Sequence, residues 1–281
     1  MLYPEPFKTH DGLKLITKTW IHPQARSNIV LVHGYLEHCR RYEHAAKYFN
    51  DHGYNVFAYD QRGHGLSEGK PSYIKQFENY ILDLKQFLDH IEIYNKAHFY
   101  ILCHSMGGLV TLSYLLNEKN IPDNLQGVIF SAPFIQPSKD LAPTLQKISR
   151  ILGFITPWLP TQSADPAEIS RDLQYVKNYA EDPLIYHGRV HAGSARQLLN
   201  QMKKIRPLYC NMTLPFLVIH GTDDKMAELE GSQNLYMESQ STDKKIIKLK
   251  DFKHEVMNEI GKKNVLQSIA NWLDERTISG S

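Results

Sequence analysis

Ser105 lies between a short apolar segment, residues 99–102, and two glycines, Gly107 and Gly108. Apolar runs of this kind form buried strands, and glycines let neighbouring chain approach closely. The pattern predicts a nucleophile elbow, a sharp strand-to-helix turn that exposes a serine hydroxyl at the carboxyl end of a sheet. Cys103 replaces the first glycine of the usual G-x-S-x-G pattern, and we expect it to be a tolerated variation rather than a second nucleophile.

An acid and a base follow Ser105 along the chain. Asp224 comes shortly after the apolar segment 216–219, and His254 comes shortly after the strand-like segment 245–249. The chain order serine, acid, histidine, with each residue just past a strand, is the order found in α/β-hydrolases, whereas chymotrypsin and subtilisin use other orders. Position alone leaves the neighbouring Asp223 as an alternative acid, since either carboxylate follows the strand.

Five motifs make the chain resemble the monoacylglycerol lipase and lysophospholipase family of serine α/β-hydrolases. They are H-G-x-x-E-H with R-Y at residues 33–42, D-Q-R-G-H-G-L-S at 60–67, H-S-M-G-G at 104–108, G-x-x-D at 221–224 and H-E at 254–255. The matches run from about Thr9 to Trp272. The family spacing selects Asp224 rather than Asp223 as the acid. The chain departs from the family at Leu36 and at Cys103, where glycine is usual.

The resemblance implies a serine ester hydrolase that works through an acyl-enzyme and needs no cofactor. Ser105 would be the nucleophile, His254 the base and Asp224 the residue that orients it, while the backbone N–H groups of Tyr35 and Met106 would form the oxyanion hole. The implied substrate is a small lipid ester, either a monoacylglycerol or a lysophospholipid. The alternatives are a broad carboxylesterase, a thioesterase, a proline iminopeptidase, whose usual H-G-G-P-G loop is absent, and a catalytically idle ligand-binding protein.

The other histidines near these motifs have a simpler interpretation. His33, His38, His64 and His104 lie in glycine-rich turns, where an imidazole can satisfy loop carbonyl groups. The pair formed by His254 and its neighbouring glutamate lacks the second histidine of the H-E-x-x-H zinc motif. The sequence therefore predicts no metal site.

Composition limits the class of protein further. The chain has 281 residues and a formal net charge of +2, which is too balanced to indicate a nucleic-acid partner. Its three cysteines have no C-x-x-C spacing, which favours a reducing compartment over a disulfide framework. No signal sequence and no long apolar run is evident, so we expect a cytoplasmic protein with peripheral membrane contact at most.

Strand-like and helix-like segments alternate along most of the chain, which predicts an α/β fold with a mostly parallel sheet. The predicted strands are 13–21, 29–32, 56–59, 99–102, 127–131, 215–219 and 245–249, and the predicted helices are 41–51, 76–94, 106–117, 227–237 and 262–273. Six prolines interrupt the rhythm between residues 134 and 206. We therefore expect a hydrolase core at 1–134 and 207–276, a helical cap at 135–206 and a disordered tail at 277–281.

The cap contains an apolar segment, Ile151–Leu159, with two possible roles. It could pack as the core of the cap, or it could form an exposed lip that controls acyl-chain entry and touches lipid weakly. The lip hypothesis is favoured by Phe154 and Trp158, which gather beside Gly153 and Pro157. An exposed cluster of this kind exceeds the scattered apolar residues usual on a monomer.

Overall fold

The computed structural model describes residues 5–92, 97–118, 121–137, 139, 153–161 and 165–277. The strands in these ranges are β1 (Phe7–Lys8), β2 (Lys14–Leu15), β3 (Thr17–Trp20), β4 (Ser27–Val32), β5 (Tyr54–Tyr59), β6 (Phe99–His104), β7 (Leu125–Ser131), β8 (Phe216–Gly221) and β9 (Lys244–Leu249). Seven of them form the central sheet, in the order β3-β5-β4-β6-β7-β8-β9. Only the edge strand β3 runs antiparallel to its neighbour within this sheet. The predicted α/β-hydrolase fold is confirmed.

Helices cover both faces of the sheet. Those in the described ranges are α1 (Glu43–Asp51), α2 (Glu78–Glu92), α3 (Met106–Asn117), α4 (Leu173–Glu181), α5 (Ala192–Ile205), α6 (Leu229–Glu238) and α7 (Lys262–Thr277). Helices α2, α3 and α5 contribute to the core on one face, and α1 and α7 contribute to the core on the other. None of the helices in the described ranges is long and apolar enough to cross a bilayer.

The apolar run of β4 shows why a strand at the centre of the sheet needs no polar side. Val30 and Val32 join the core on one face of the sheet, while Ile29 and Leu31 join the core on the other. Successive side chains of a strand point in opposite directions, so a strand covered by helices on both faces is apolar throughout. Each such side chain contributes about 1.5–3 kcal/mol when fully buried.

Two glycines allow α3 to begin directly behind β6. A Cβ on Gly107 would lie 2.3 Å from the carbonyl oxygen of Val32, and one on Gly108 would lie 2.7 Å from the Cβ of Pro133. Both distances are shorter than any real Cβ contact, so a larger residue would push the helix away from the strands. The close approach that the sequence predicted at the elbow is therefore present.

The described part of the predicted cap contains α4, α5 and a short 3-10 helix at Pro166–Glu168. Helix α5 packs into the main core through Leu198, Met202 and Ile205. The chain division at residues 134 and 206 thus stays a prediction. Residues 140–152 of the predicted cap lie outside the described residues, as do residues 278–281 of the predicted tail, whereas Thr277 belongs to α7.

Candidate active site

Ser105 adopts a backbone conformation that side chains rarely take. It lies between β6 and α3 with φ of 50° and ψ of −118°. Such a conformation costs about 1–3 kcal/mol and persists only where the surroundings impose it. Hydrogen bonds on both sides do so here, because Ser105 N–H donates to the carbonyl of Ser131 at 3.1 Å and its own carbonyl accepts from Phe134 N–H at 2.9 Å. The strained backbone of Ser105 and the hydrogen bonds that hold it define a nucleophile elbow.

The three residues selected from the sequence lie in contact. His254 Nε2 is 2.8 Å from Ser105 Oγ, and His254 Nδ1 is 2.7 Å from Asp224 Oδ2. Each residue follows the carboxyl end of a parallel strand, namely β6, β8 or β9, and these ends meet at one edge of the sheet. The arrangement can pass a proton from the serine hydroxyl to an imidazole that a carboxylate holds in place.

The carboxylate of Asp224 is fully buried and held on both oxygens. Its Oδ1 accepts from the N–H groups of Met226 and Ala227 at 2.8 and 2.9 Å, and its Oδ2 also lies 3.1 Å from His220 Nε2. Asp223 is exposed instead, and its N–H donates to the carbonyl of Phe252. The geometry thus brings Asp224, and not Asp223, to the imidazole.

Opposing effects act on the protonation of this pair. Burial favours the neutral form of Asp224, but the charge of His254 and hydrogen bonds from His220 and His254 lower the pKa of its carboxyl far below the usual range. Burial lowers the pKa of the His254 imidazole, while the Asp224 carboxylate raises it, and the net result is a pKa above the ordinary value. A carboxylate therefore faces an imidazole that accepts a proton readily.

The loop after β4 lies directly against the serine. A Cβ on Gly34 would lie 2.6 Å from Glu37 Oε1 and 3.1 Å from the Cβ of Ser105, so a side chain here would displace the glutamate carboxylate and crowd the serine. The next residue is Tyr35, whose N–H group has no acceptor among the described residues, and the same holds for the N–H of Met106 at the first position of α3. These two amides are the ones that the sequence predicted for the oxyanion hole.

The two departures from the family pattern are accommodated in different ways. Leu36 is buried with φ of 67°, a left-handed conformation that glycine adopts freely and that costs other residues about 1–2 kcal/mol. Cys103 lies in β6 with its thiol buried in the core and Sγ 3.4 Å from the carbonyl of Ile129. Burial raises the pKa of that thiol, which disfavours a nucleophilic thiolate.

The loop histidines mostly bind backbone carbonyl groups, as the sequence suggested. The Nδ1 atoms of His33, His64 and His104 lie 2.7, 2.9 and 3.0 Å from the carbonyls of Gly34, Arg62 and Ser131. His38 differs, since its Nε2 is 2.9 Å from the carboxylate of Asp182. In the part of the chain that the structure describes, no group of three or more potential metal ligands is assembled.

Several charged residues beside the site have contacts that the sequence did not predict. His220 supports Asp224, and Glu37, Arg41 and Glu255 form a buried ionic cluster next to His254. The spacing of Glu37 and Arg41, four residues apart, was a visible signal for an ion pair. No such signal marked the third member of the cluster, because Glu255 is 214 residues from Arg41 in the chain.

Comparison with known proteins agrees with this fold. Residues 23–261 match the family model described as serine aminopeptidase, S33. The monoacylglycerol lipase of Mycolicibacterium smegmatis is 30% identical over 268 residues, which cover 93% of each chain. The monoglyceride lipase of Rattus norvegicus is 30% identical over 271 residues, covering 95% of this chain and 88% of that one. The crystal structure of Paleococcus ferrophilus monoacylglycerol lipase has a TM-score of 0.82 and 29% identity, covering 93% of this chain and 99% of that chain.

Fold, elbow and sequence matches together define a serine hydrolase of the α/β-hydrolase class. Within that class the chain belongs to the family of the serine aminopeptidase S33 model, and its resemblance to the monoacylglycerol lipases is confirmed.

Proposed function

We propose that the protein hydrolyses acyl esters of lipids, either monoacylglycerols or lysophospholipids, through a Ser105–His254–Asp224 triad. The observation that carries the proposal is the pair of contacts from His254, to Ser105 Oγ at 2.8 Å and to Asp224 Oδ2 at 2.7 Å. The bacterial and rat relatives are named as a monoacylglycerol lipase and a monoglyceride lipase, which supports a lipid ester as the substrate.

The proposed reaction has two halves that use the same groups. His254 Nε2 takes the hydroxyl proton as Ser105 Oγ attacks the ester carbonyl carbon, and the imidazolium then gives that proton to the departing alcohol oxygen. Water attacks the resulting acyl-serine, His254 takes its proton, and the proton passes to Ser105 Oγ as the fatty acid leaves. Asp224 fixes the Nδ1–H tautomer and stabilises the imidazolium in both halves. No cofactor takes part in these steps.

The negative charge that develops on the carbonyl oxygen needs donors that are already in place. We assign this role to the N–H groups of Tyr35 and Met106, which flank Ser105 and have no acceptor in the described part of the chain. The amino-terminal end of α3 adds its partial positive charge at the same point. Each such donor is worth roughly 3 kcal/mol of transition-state stabilisation.

A substrate panel tests the assignment. Purified protein is assayed with p-nitrophenyl esters of graded chain length, a long-chain monoacylglycerol, lysophosphatidylcholine, an acyl-CoA thioester and a prolyl peptide. We expect the highest kcat/KM on one of the two lipid esters. A preference for short p-nitrophenyl esters or for the thioester would favour the alternative esterase and thioesterase functions, and cleavage of the peptide would favour a peptidase.

The pH dependence of turnover follows from the environment of His254. The imidazole accepts the serine proton only when neutral, so activity is lost as pH falls through its pKa. Because Asp224 raises that pKa, the acid limb of kcat/KM against pH should be centred above about 6.5, the value of an unperturbed histidine. Measurement on a soluble p-nitrophenyl ester checks this, and a limb centred below about 6.5 would contradict it.

We further propose that residues 135–206 form a cap whose apolar lip touches lipid. In this segment Phe154 and Trp158 are 76% and 63% exposed, so they do not pack as a cap core. The backbone beneath them is fixed, because Ala192 N–H donates to the carbonyl of Leu159 at 2.8 Å and Gly193 N–H to that of Pro157 at 2.9 Å. Exposed apolar side chains on a fixed backbone suit reversible contact with a lipid surface.

Removing the lip side chains should therefore separate two activities. The double variant Phe154→Ser, Trp158→Ser should keep the melting temperature and the turnover of a short soluble ester near wild type, while turnover of micellar long-chain monoacylglycerol falls about tenfold. The matched control is Met237→Ser, which removes a side chain that is 65% exposed on α6. Parallel loss of stability and of both activities would instead assign the segment to the core of the cap.

A further inference from the structure

A buried arginine lies between two carboxylates beside the proposed site. Arg41 Nη1 donates to Glu37 Oε2 at 2.6 Å, and the same guanidinium forms two hydrogen bonds with Glu255, at 2.9 and 2.8 Å. The three side chains are only 5%, 3% and 5% exposed. Burial strengthens these charge-assisted bonds and makes loss of any one partner costly.

Each carboxylate belongs to a different part of the site. Glu37 Oε1 accepts from Gly34 N–H at 2.6 Å, which fixes the loop that carries the Tyr35 amide. Glu255 directly follows His254, and its N–H donates to the carbonyl of Ile169 at 2.8 Å. One guanidinium therefore connects the loop that carries Tyr35, here called the oxyanion loop, with the loop that carries His254, here called the His254 loop.

The same guanidinium also holds the cap. It lies 5.1 Å from the ring centre of Tyr175 and 4.6 Å from that of Tyr179, both on α4. The hydroxyl of Tyr175 accepts from Arg41 Nη2 and donates to Glu255 Oε2 at 3.0 Å. Stacking and hydrogen bonding thus fasten the cap helix to the two loops through one residue.

We propose that Arg41 is a positioning residue that holds the oxyanion loop, the His254 loop and the cap helix α4 in one fixed relation. This inference rests on the proposed function, because it concerns the placement of the proposed donors and base. Arg41 itself touches none of the triad residues by hydrogen bond or ion pair in the described structure. Its effect is to keep the Tyr35 amide and His254 at the distances that the transition state needs.

The planar fork of arginine suits this task better than lysine does. One edge of the guanidinium donates to Glu255 from both Nη1 and Nη2, and Nη1 also donates to Glu37. A lysine keeps the charge but supplies a single ammonium that cannot reproduce this geometry. A neutral replacement leaves two buried carboxylates unpaired, and we expect both loops to shift.

The test compares Arg41→Gln, Arg41→Lys and Tyr175→Phe with wild type on a soluble p-nitrophenyl ester. A trifluoromethyl ketone, which Ser105 attacks to form a tetrahedral adduct, reports on transition-state binding. The matched control is Arg40→Gln, since the adjacent Arg40 also pairs with a buried carboxylate, that of Asp60, but not with these loops. Reaction with a fluorophosphonate first establishes that wild-type Ser105 is active.

For Arg41→Gln we expect kcat/KM to fall about 10²-fold with KM nearly unchanged, because misplacement of about 1 Å has effects of this size. Arg41→Lys should recover part of the loss, and Tyr175→Phe should show a smaller loss. The inhibition constant of the ketone should rise in parallel with the fall in kcat/KM across the series. Arg40→Gln should keep the wild-type inhibition constant.

A purely structural role gives a different pattern. It would lower kcat only in proportion to the folded fraction and leave the inhibition constant of the ketone unchanged. That result would overturn the inference about Arg41 but not the proposed triad. If Arg41→Gln fails to fold, Arg41→Lys and Tyr175→Phe provide the same test. A fall in kcat/KM with a parallel rise in the inhibition constant supports the inference, and an unchanged inhibition constant overturns it. Wild-type protein that does not react with the fluorophosphonate would instead reject the proposed function, and the inference with it.

Discussion

Replacing Ser105 with alanine should lower kcat on the preferred ester by about 10⁶-fold, as loss of the nucleophile does in other serine hydrolases. The reason is that no other group replaces the hydroxyl. In the described structure His254 Nε2 faces Ser105 Oγ at 2.8 Å, and the buried Cys103 thiol packs in the core and not toward the imidazole. Steady-state assays with active-site titration measure the loss.

Another buried serine serves as the control for Ser105→Ala. Ser113 lies on α3 behind the elbow and accepts a hydrogen bond from Gln201 at 2.8 Å. Ser113→Ala should keep turnover within a few-fold of wild type, with only a modest loss of stability, about 1 kcal/mol. Folded Ser105→Ala protein that retains a few per cent of wild-type turnover would show that another residue is the nucleophile.

Asp224→Asn should lower kcat by about 10⁴-fold, because an amide N–H₂ in place of a carboxylate oxygen stabilises the wrong imidazole tautomer. The carboxylate is buried, and its Oδ2 serves both His254 and His220, so the substitution disturbs both imidazoles. The matched variant is Asp223→Asn, which changes an exposed neighbour of identical chemistry.

The relative turnover of the two aspartate variants decides which residue is the acid. Asp223→Asn should keep kcat within a few-fold of wild type, since its side chain does not face the imidazole. Both variants should also be compared by thermal unfolding, because Asp224 accepts two backbone hydrogen bonds that an asparagine oxygen can still accept. A greater loss of turnover in Asp223→Asn would overturn the assignment of the acid.

The fold was readable from sequence because its signals are local. The apolar runs that form β4 and β6 each lie within a few consecutive residues, and the carboxyl ends of parallel strands meet at one edge of the sheet. That edge brings Ser105 and His254 together, although they are 149 residues apart. The chain order of the motifs therefore pointed to Ser105 and His254, whereas the choice of Asp224 over Asp223 needed the spacing of the family motif.

Other features depend on tertiary contacts that no local pattern contains. The backbone of Leu36 is left-handed although leucine disfavours that region, so the residue type gave no signal of this conformation. The bond between Arg41 and Glu255 joins two loops whose approach follows only from the assembled sheet. Helix α5 was expected within a cap, yet its apolar stripe completes the main core, since helical spacing shows which face is buried but not against what.

The central claim is that Ser105 is an activated nucleophile, and covalent labelling tests it most directly. Folded wild-type protein is treated with a fluorophosphonate, and the product is examined by intact mass and by peptide mapping. The proposed triad predicts one phosphonyl adduct per chain, located on Ser105, with the label absent from Ser105→Ala and strongly reduced in Asp224→Asn. Folded wild-type protein that carries no adduct on Ser105 would contradict the account.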